Sequence, residues 1–160
     1  MTTPLPSQDT ERDLVLSLVL DAPRDEVYRC WTEPDLIVQW FAPKPWSTPR
    51  AVVDVRPGGA SVITMADEQG NEYPNPGQYL EVVPNERLVF SDAYVGDWKP
   101  SEKPFFTGYL TFEDAGDGKT KYTAVARHWT VEDAENHKKM GFHEGWGICS
   151  RQLETLAASL

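Results

Sequence analysis

Few residues of this chain could do chemistry, and their spacing argues against most reactions. The three histidines are His128, His137 and His143. His137 and His143 are six apart, about 120° around a helix, which is poor spacing for one metal ion. His143 falls on the polar side of the last predicted helix, where a solvated ring is expected. His128 stands beside Trp129 where a predicted strand ends. Turned inward, it could bond a ligand or act as a base, since its ordinary pKa is about 6.5. The plainer expectation is a ring bonded to backbone at the strand end. Glu81 is the other candidate acid or base. Inside, it would need a partner such as Arg56 or a shifted pKa; outside, it is an ordinary surface carboxylate, and we expect it outside. Strand alternation would put Tyr79 and Glu81 on one face.

The familiar catalytic strings are missing. There is no Gly-x-Gly-x-x-Gly, phosphate loop, His-Glu-x-x-His, Cys-x-x-Cys or Gly-x-Ser-x-Gly. Pro57-Gly58-Gly59-Ala60 reads as a turn. We therefore expect no catalytic residue, no metal ligand and no cofactor. Cys30 and Cys149 both fall in predicted helices and read as reduced, buried thiols.

Aromatic residues carry the stronger signal. They recur in every predicted element, and most must be core. Phe41 to Trp46 and Tyr94 to Phe106 place several on loops, where rings could rim a pocket.

The elements that would hold these residues begin with Leu14–Leu20, a short apolar run that suits a strand. Asp21-Ala22-Pro23 opens a helix carrying Val27, Cys30 and Trp31 inward, with Asp25 and Glu26 at the positive end of its dipole. Pro34 starts a second short helix with Leu36, Ile37 and Trp40. A proline-rich loop follows to Pro49. Strands are then expected at 51–55, 60–65, 77–83, 87–91, 105–112 and 120–129, separated by Gly-, Pro- and Asn-bearing turns. Thr130, with Asp133 three residues on, can cap one long helix from Val131 to Leu160, roughly 45 Å in length. Gly141, Phe142, Gly145, Trp146, Cys149, Leu153, Leu156 and Leu160 would share one broad face. Lys139, His143, Ser150 and Glu154 would face the other way. A glycine inside a helix costs about 1 kcal/mol relative to alanine, so Gly141, Gly145 and Gly147 need a reason. Either a strand packs very close, or empty volume lies between helix and sheet.

Helices segregated from a run of antiparallel strands mean an α+β chain, with a curved sheet of about six to seven strands around the C-terminal helix. One hundred and sixty residues, 40% of them hydrophobic, suit a single domain over 13–160 behind a flexible tail, 1–12. The formal net charge of −10 argues against nucleic acid and anionic membrane surfaces. Residues 1–10 carry neither a basic start nor an apolar run, and no stretch is long enough to span a membrane, so a cytoplasmic protein is expected.

Several strings resemble one known family. They are Asp21-Ala22-Pro23, Val27-Tyr28-x-x-Trp31-Thr32-x-Pro34, Trp40-Phe41-x-Pro43 and Asp54-Val55-Arg56-Pro57-Gly58-Gly59. Gly77-x-Tyr79-Leu80-Glu81-Val82-Val83-Pro84-x-Glu86-Arg87-Leu88-Val89-Phe90 and Gly145-Trp146 with Leu153 and Leu156 complete the set. Together they resemble the family named for the activator of heat-shock protein 90 ATPase, within the START-like, pollen-allergen-like SRPBCC superfamily. The resemblance runs from about Leu14 to the C-terminus. It implies a helix-grip fold, a sheet folded round a long C-terminal helix with a cavity between them. Its members include co-chaperone domains, lipid and polyketide binders and aromatase/cyclases. The eukaryotic chaperone activators carry an additional N-terminal domain where this chain has a short tail, so a chaperone partner is not expected.

The expected function is binding of a small, largely apolar molecule, aromatic or lipid-like, between sheet and helix. Candidate ligand-binding residues are Trp40, Phe41, Tyr79, Phe90, Trp98, Phe106, His128, Gly141, Gly145 and Trp146. The alternatives are a cyclase or hydrolase using His128 or Glu81 in the same cavity, or an interaction module. The module would be a homodimer or chaperone partner using the aromatic loops around Trp46 and Trp98.

Overall fold

A computed structural model describes residues 11–160 of the chain. The expected tail, 1–12, falls almost wholly outside them. Strand β1 (Asp13–Leu20) is followed by helices α1 (Arg24–Thr32) and α2 (Pro34–Trp40). Strands β2 (Ser47–Val53), β3 (Ala60–Ala66), β4 (Glu72–Val83), β5 (Arg87–Ser91), β6 (Phe106–Gly116) and β7 (Lys119–His128) come next. Helices α3 (Val131–Lys139) and α4 (Phe142–Ala158) end the chain. One antiparallel sheet contains all seven strands in the order β1-β7-β6-β5-β4-β3-β2. The first strand thus closes against the last, leaving β1 and β2 as edges.

Leu14, Leu20, Leu88, Leu110, Phe112, Tyr122, Ala124 and Ala126 are buried on the concave face. Helix α4 crosses that face, packed on α1, α2, β1 and α3 but not comparably on β3, β4 or β5. Leu153 and Ala157 are its innermost contacts with the main core. The convex face carries the bidentate pair of Arg127 with Asp13, at 2.7 and 2.8 Å. Its arginine lies over the Tyr109 ring.

Local chemistry explains the boundaries. Thr130 Oγ1 accepts from the Asp133 N–H, the expected cap of α3. Asp117 and Gly118 both take positive φ, the requirement of a tight type I′ link between β6 and β7. Pro74 and Pro76 fall where β4 overhangs the end of β5. Tyr79 bonds toward β3 through Gly58 and Gly59, so alternation turns both prolines away from β3, and no ladder bond is lost.

Three expectations change. The helix over 131–160 is two helices, because Gly141 sits at φ 93° and turns the chain between α3 and α4. That is a left-handed conformation for which glycine carries no steric penalty. Strand β2 begins at Ser47, inside the expected loop, with a register shift before Arg50 that accommodates Pro49. Ser150, expected outward, is buried, because its hydroxyl donates to the Trp146 carbonyl one turn back and needs no water.

Candidate ligand-binding site

The concave face gathers rings from five parts of the chain. Trp31 of α1 stacks on Phe90 of β5 with centroids 5.8 Å apart. Phe90 meets Phe106 of β6 edge-on at 6.2 Å, and Phe106 meets Trp146 of α4 edge-on at 6.2 Å. Phe41, just past α2, closes on Trp31 at 6.0 Å. Edge-to-face and offset arrangements are those that ring quadrupoles favour. Register sets this convergence. Phe90 pairs with Gly108, and a Cβ on Gly108 would lie 2.5 Å from the Phe90 ring, so the glycine leaves the lane that the ring occupies.

Four of these rings, Phe41, Phe90, Phe106 and Trp146, are only half-buried. Gly145 lies one residue before Trp146, and a Cβ built there meets no atom within 4 Å. It is on the flank of α4 that carries Cys149 and Gln152, which reach the chain after α2. Cys149 Sγ donates to the Phe41 carbonyl, and Gln152 donates to the carbonyls of Trp40 and Ala42. The missing side chain therefore leaves open space one turn before a tightly tied contact.

Beneath the rings lies a small polar cluster. Tyr122 is fully buried and its phenol is pushed well above the usual range by that burial, with small opposing effects of the neighbouring Trp31 and Ser150. Tyr79, paired with Phe90 across β4 and β5, is also pushed up by burial, to about 12, against a smaller opposing effect of Ser61.

The other sequence candidates divide. Trp40 forms the buried side of the ring cluster, its ring 4.7 Å from Trp31 and 5.5 Å from Phe41. Its Nε1 donates to the Cys30 carbonyl at 2.8 Å, tying α1 to α2. Trp98 stands on the loop after β5, where its backbone N–H donates to Gln78 Oε1. Gln78 pairs with Ser91 and so points to the convex side, and Trp98 does not join the concave rings. Gly141 acts as the turn between two helices. Glu81 does not share a face with Tyr79. A register shift at Leu80 turns Glu81 to the convex face beside Val89, where it meets Arg87, not Arg56, at 2.7 Å. Arg56 pairs with Asp54 at 2.8 Å.

His128 does point inward at the end of β7, and both its ring nitrogens are engaged. Nδ1 is 2.9 Å from the Arg12 carbonyl, which accepts only, so Nδ1 carries a proton. Nε2 is 2.8 Å from His137 Nδ1. Phe105, Phe106 and Phe142 surround the second ring at 5.2, 5.6 and 5.1 Å. Burial first, and then His128, lower His137 to about 4. Asp92 orders the start of β6 by accepting from the N–H groups of Phe105 and Phe106. Its own carboxyl is raised by burial.

His137, Tyr122 and Ser150 are the members that sequence reasoning missed. For His137 there was a signal: Thr130, Ala134 and His137 share one stripe of α3, and Ala134 is buried. Tyr122 was legible only as a strand residue, since its depth depends on where α1 and α4 cross.

Two depressions stand out among the described residues. One, about 620 Å³ and open, lies between β1 and the outer side of α4; the other, about 350 Å³, lies by the β6–β7 turn and the start of α1. Neither is lined by Phe90, Phe106 or Trp146. Among the described residues no group of three His, Cys, Asp or Glu could hold a metal ion, and no helix is long and apolar enough to cross a membrane.

A curved antiparallel sheet holding a C-terminal helix in its concave face is a helix-grip architecture. The profile of the family described as activator of Hsp90 ATPase homolog 1-like protein matches residues 21–158, and the chain belongs to that family. A solved protein from Nitrosomonas europaea shares 42% identity with a TM-score of 0.90, covering 93% of this chain and 96% of its own. A Mycobacterium smegmatis protein shares 22% identity at a TM-score of 0.75, covering 100% and 99%. An AHSA1-like protein from Aeromonas hydrophila shares 19% identity at a TM-score of 0.68, covering 91% and 93%. The last two show likeness of fold alone. No curated protein matches the chain.

Proposed function

We propose that this chain is a cytoplasmic binding protein for a small, largely apolar molecule, aromatic or lipid-like, held between the concave face of the sheet and α4. The observation that carries this reading is the set of half-buried rings, Phe41, Phe90, Phe106 and Trp146, beside the open space at Gly145. Gly145 is half-buried, and a helix built for stability alone would carry a side chain there to gain packing contacts. Rings with free faces next to a missing side chain offer stacking area to a planar or chain-like guest. Tyr122 and Ser150 give the floor a polar spot that could orient one oxygen of such a guest. The wider superfamily commonly binds hydrophobic ligands, in keeping with this reading.

The reading includes no catalytic step. An acid–base role would need a free ring nitrogen facing the guest, and both nitrogens of His128 are engaged. Native mass spectrometry of freshly purified protein tests the proposal. A co-purifying adduct, or a thermal shift with flavonoids, fatty acids or polyketide-like aromatics, is expected; a guest at 100 times its dissociation constant adds about 2.7 kcal/mol. No adduct and no shift across that panel would overturn it.

A further inference from the structure

The outer side of α4 has a pattern that interior binding does not use. Glu144, Gly147, Ile148 and Arg151 fall on one exposed stripe, since 3.6 residues make a turn. Ile148 is 44% exposed on it. A Cβ on Gly147 would meet nothing within 4 Å, so the stripe carries a socket beside its knob. Leu18 of the edge strand β1 forms part of the same open depression, with Thr155 at its far end.

We propose that this stripe is the contact between two copies of the chain, packed with their α4 helices antiparallel. A two-fold contact must be self-complementary: if one residue meets a second, the second must meet the first. The stripe meets that condition about a single midpoint between Gly147 and Ile148. A two-fold axis there sets Ile148 of each copy over Gly147 of the other. The same axis sets Glu144 of each copy against Arg151 of the other. Glycine lets two helix axes approach toward the short end of the usual 8–10 Å range, and the isoleucine fills the space it leaves. Leu18 would be covered along with it.

The charge pattern of the stripe, not the net charge, fits a second copy, because its one acid and one base exchange places across the two-fold axis. The chain carries a net −10, so two copies repel at long range. A stable contact between copies therefore needs a locally balanced patch, and one Glu144 with one Arg151 per copy supplies it. Arg151 already bonds Glu154 at 3.1 Å, and a guanidinium has donors left for a second carboxylate. This contact lies on the opposite side of α4 from the rings and does not depend on the interior reading. It also differs from a contact through the Trp46 and Trp98 loops.

Light scattering after size exclusion, on the full chain at its highest soluble concentration, tests the contact. The wild type is expected to be a dimer and Ile148→Glu a monomer. Gly147→Leu, which fills the socket from a position where a Cβ meets no atom within 4 Å, should also be monomeric while its circular dichroism spectrum stays that of the wild type. Glu144→Arg and Arg151→Glu should each raise the dissociation constant about tenfold or more, because each sets like charges together twice per dimer. The double reversal should restore dimerisation. A monomeric wild type would overturn the proposal. So would a dimer that survives Ile148→Glu, a double reversal no tighter than the singles, or a dimer lost only when Trp46 or Trp98 is replaced.

Discussion

His128 Nε2 and His137 Nδ1 lie 2.8 Å apart, and this one hydrogen bond joins the last strand of the sheet to α3. A single proton occupies it. With His128 Nδ1 donating to the Arg12 carbonyl, His128 Nε2 accepts from His137 in the neutral pair. Helix α3 packs only lightly on β7, α4 and β1, and a left-handed glycine follows it. The histidine pair, wrapped by Phe105, Phe106 and Phe142, is thus the main polar tie holding the helix down.

The first prediction follows from the direction of the His137 shift. Its pKa falls from 6.5 in the unfolded chain to about 4 in the fold. Between those values the unfolded chain binds more protons, so stability rises with pH there. Full stability is expected above about 6.5, a decline as pH falls toward about 4, and no further loss from this group below. Allowing for solvent screening of a half-buried ring, the loss should be about 1–2 kcal/mol. His137→Gln keeps a donor for His128 and should flatten that part of the curve. Urea unfolding across this window checks it; an unchanged slope in the variant would assign the acid sensitivity elsewhere.

A second prediction concerns Gly108. Its missing Cβ lies 2.5 Å from the Phe90 ring, which is held on its other side by Trp31. Gly108→Ala must therefore displace a ring that has nowhere cheap to go. A loss of about 1–3 kcal/mol is expected, as for other overpacked cores. Trp31 emission should change along with it. Denaturation with fluorescence readout measures both.

Much of the architecture was legible because prolines and glycines punctuate it. Pro23 and Pro34 start the two short helices, and Asp117-Gly118 makes the last hairpin turn. Gly141 was ambiguous for a physical reason: it continues the apolar stripe of α4, so periodicity alone extends the helix through it. Its left-handed backbone is a choice made by packing. The shift at Leu80 is likewise invisible to alternation, since one extra residue reverses every later face, and it separated Tyr79 from Glu81. The ring cluster was half legible. Trp40, Phe41, Phe90, Phe106 and Trp146 do come together, with Trp40 on the buried side, whereas Trp98 does not join them. Aromatic identity marks a residue as valuable to bury, but only strand register and loop path decide against what.

The third prediction tests the thiols. Both cysteines are free, with Cys30 buried and Cys149 partly so. Burial pushes Cys30 up to about 12 and Cys149 up to about 11. At neutral pH roughly one Cys149 in ten thousand, and fewer of Cys30, is thiolate, the form that reacts. Neither should react with a disulfide reagent until the protein unfolds. Timed labelling with mass detection reads this directly, and rapid native labelling of Cys149 would mean that the contact between α4 and Phe41 opens often.

The last prediction separates the open space at Gly145 from ordinary helix stability. Replacing it with leucine adds a side chain where a Cβ meets no atom within 4 Å. Leucine is also the better helix former, so the unliganded protein should be unchanged or stabilised by up to about 1 kcal/mol. If a guest occupies that space, the same substitution must exclude it. Adducts and ligand-induced thermal shifts should then disappear although the fold is, if anything, firmer. Gly147→Leu on the outer side of the same helix is the matched control and should leave guest binding intact. Equal binding by the wild type and both variants would mean that the space beside Trp146 is not where the guest sits. Loss in both would point to a general change in α4.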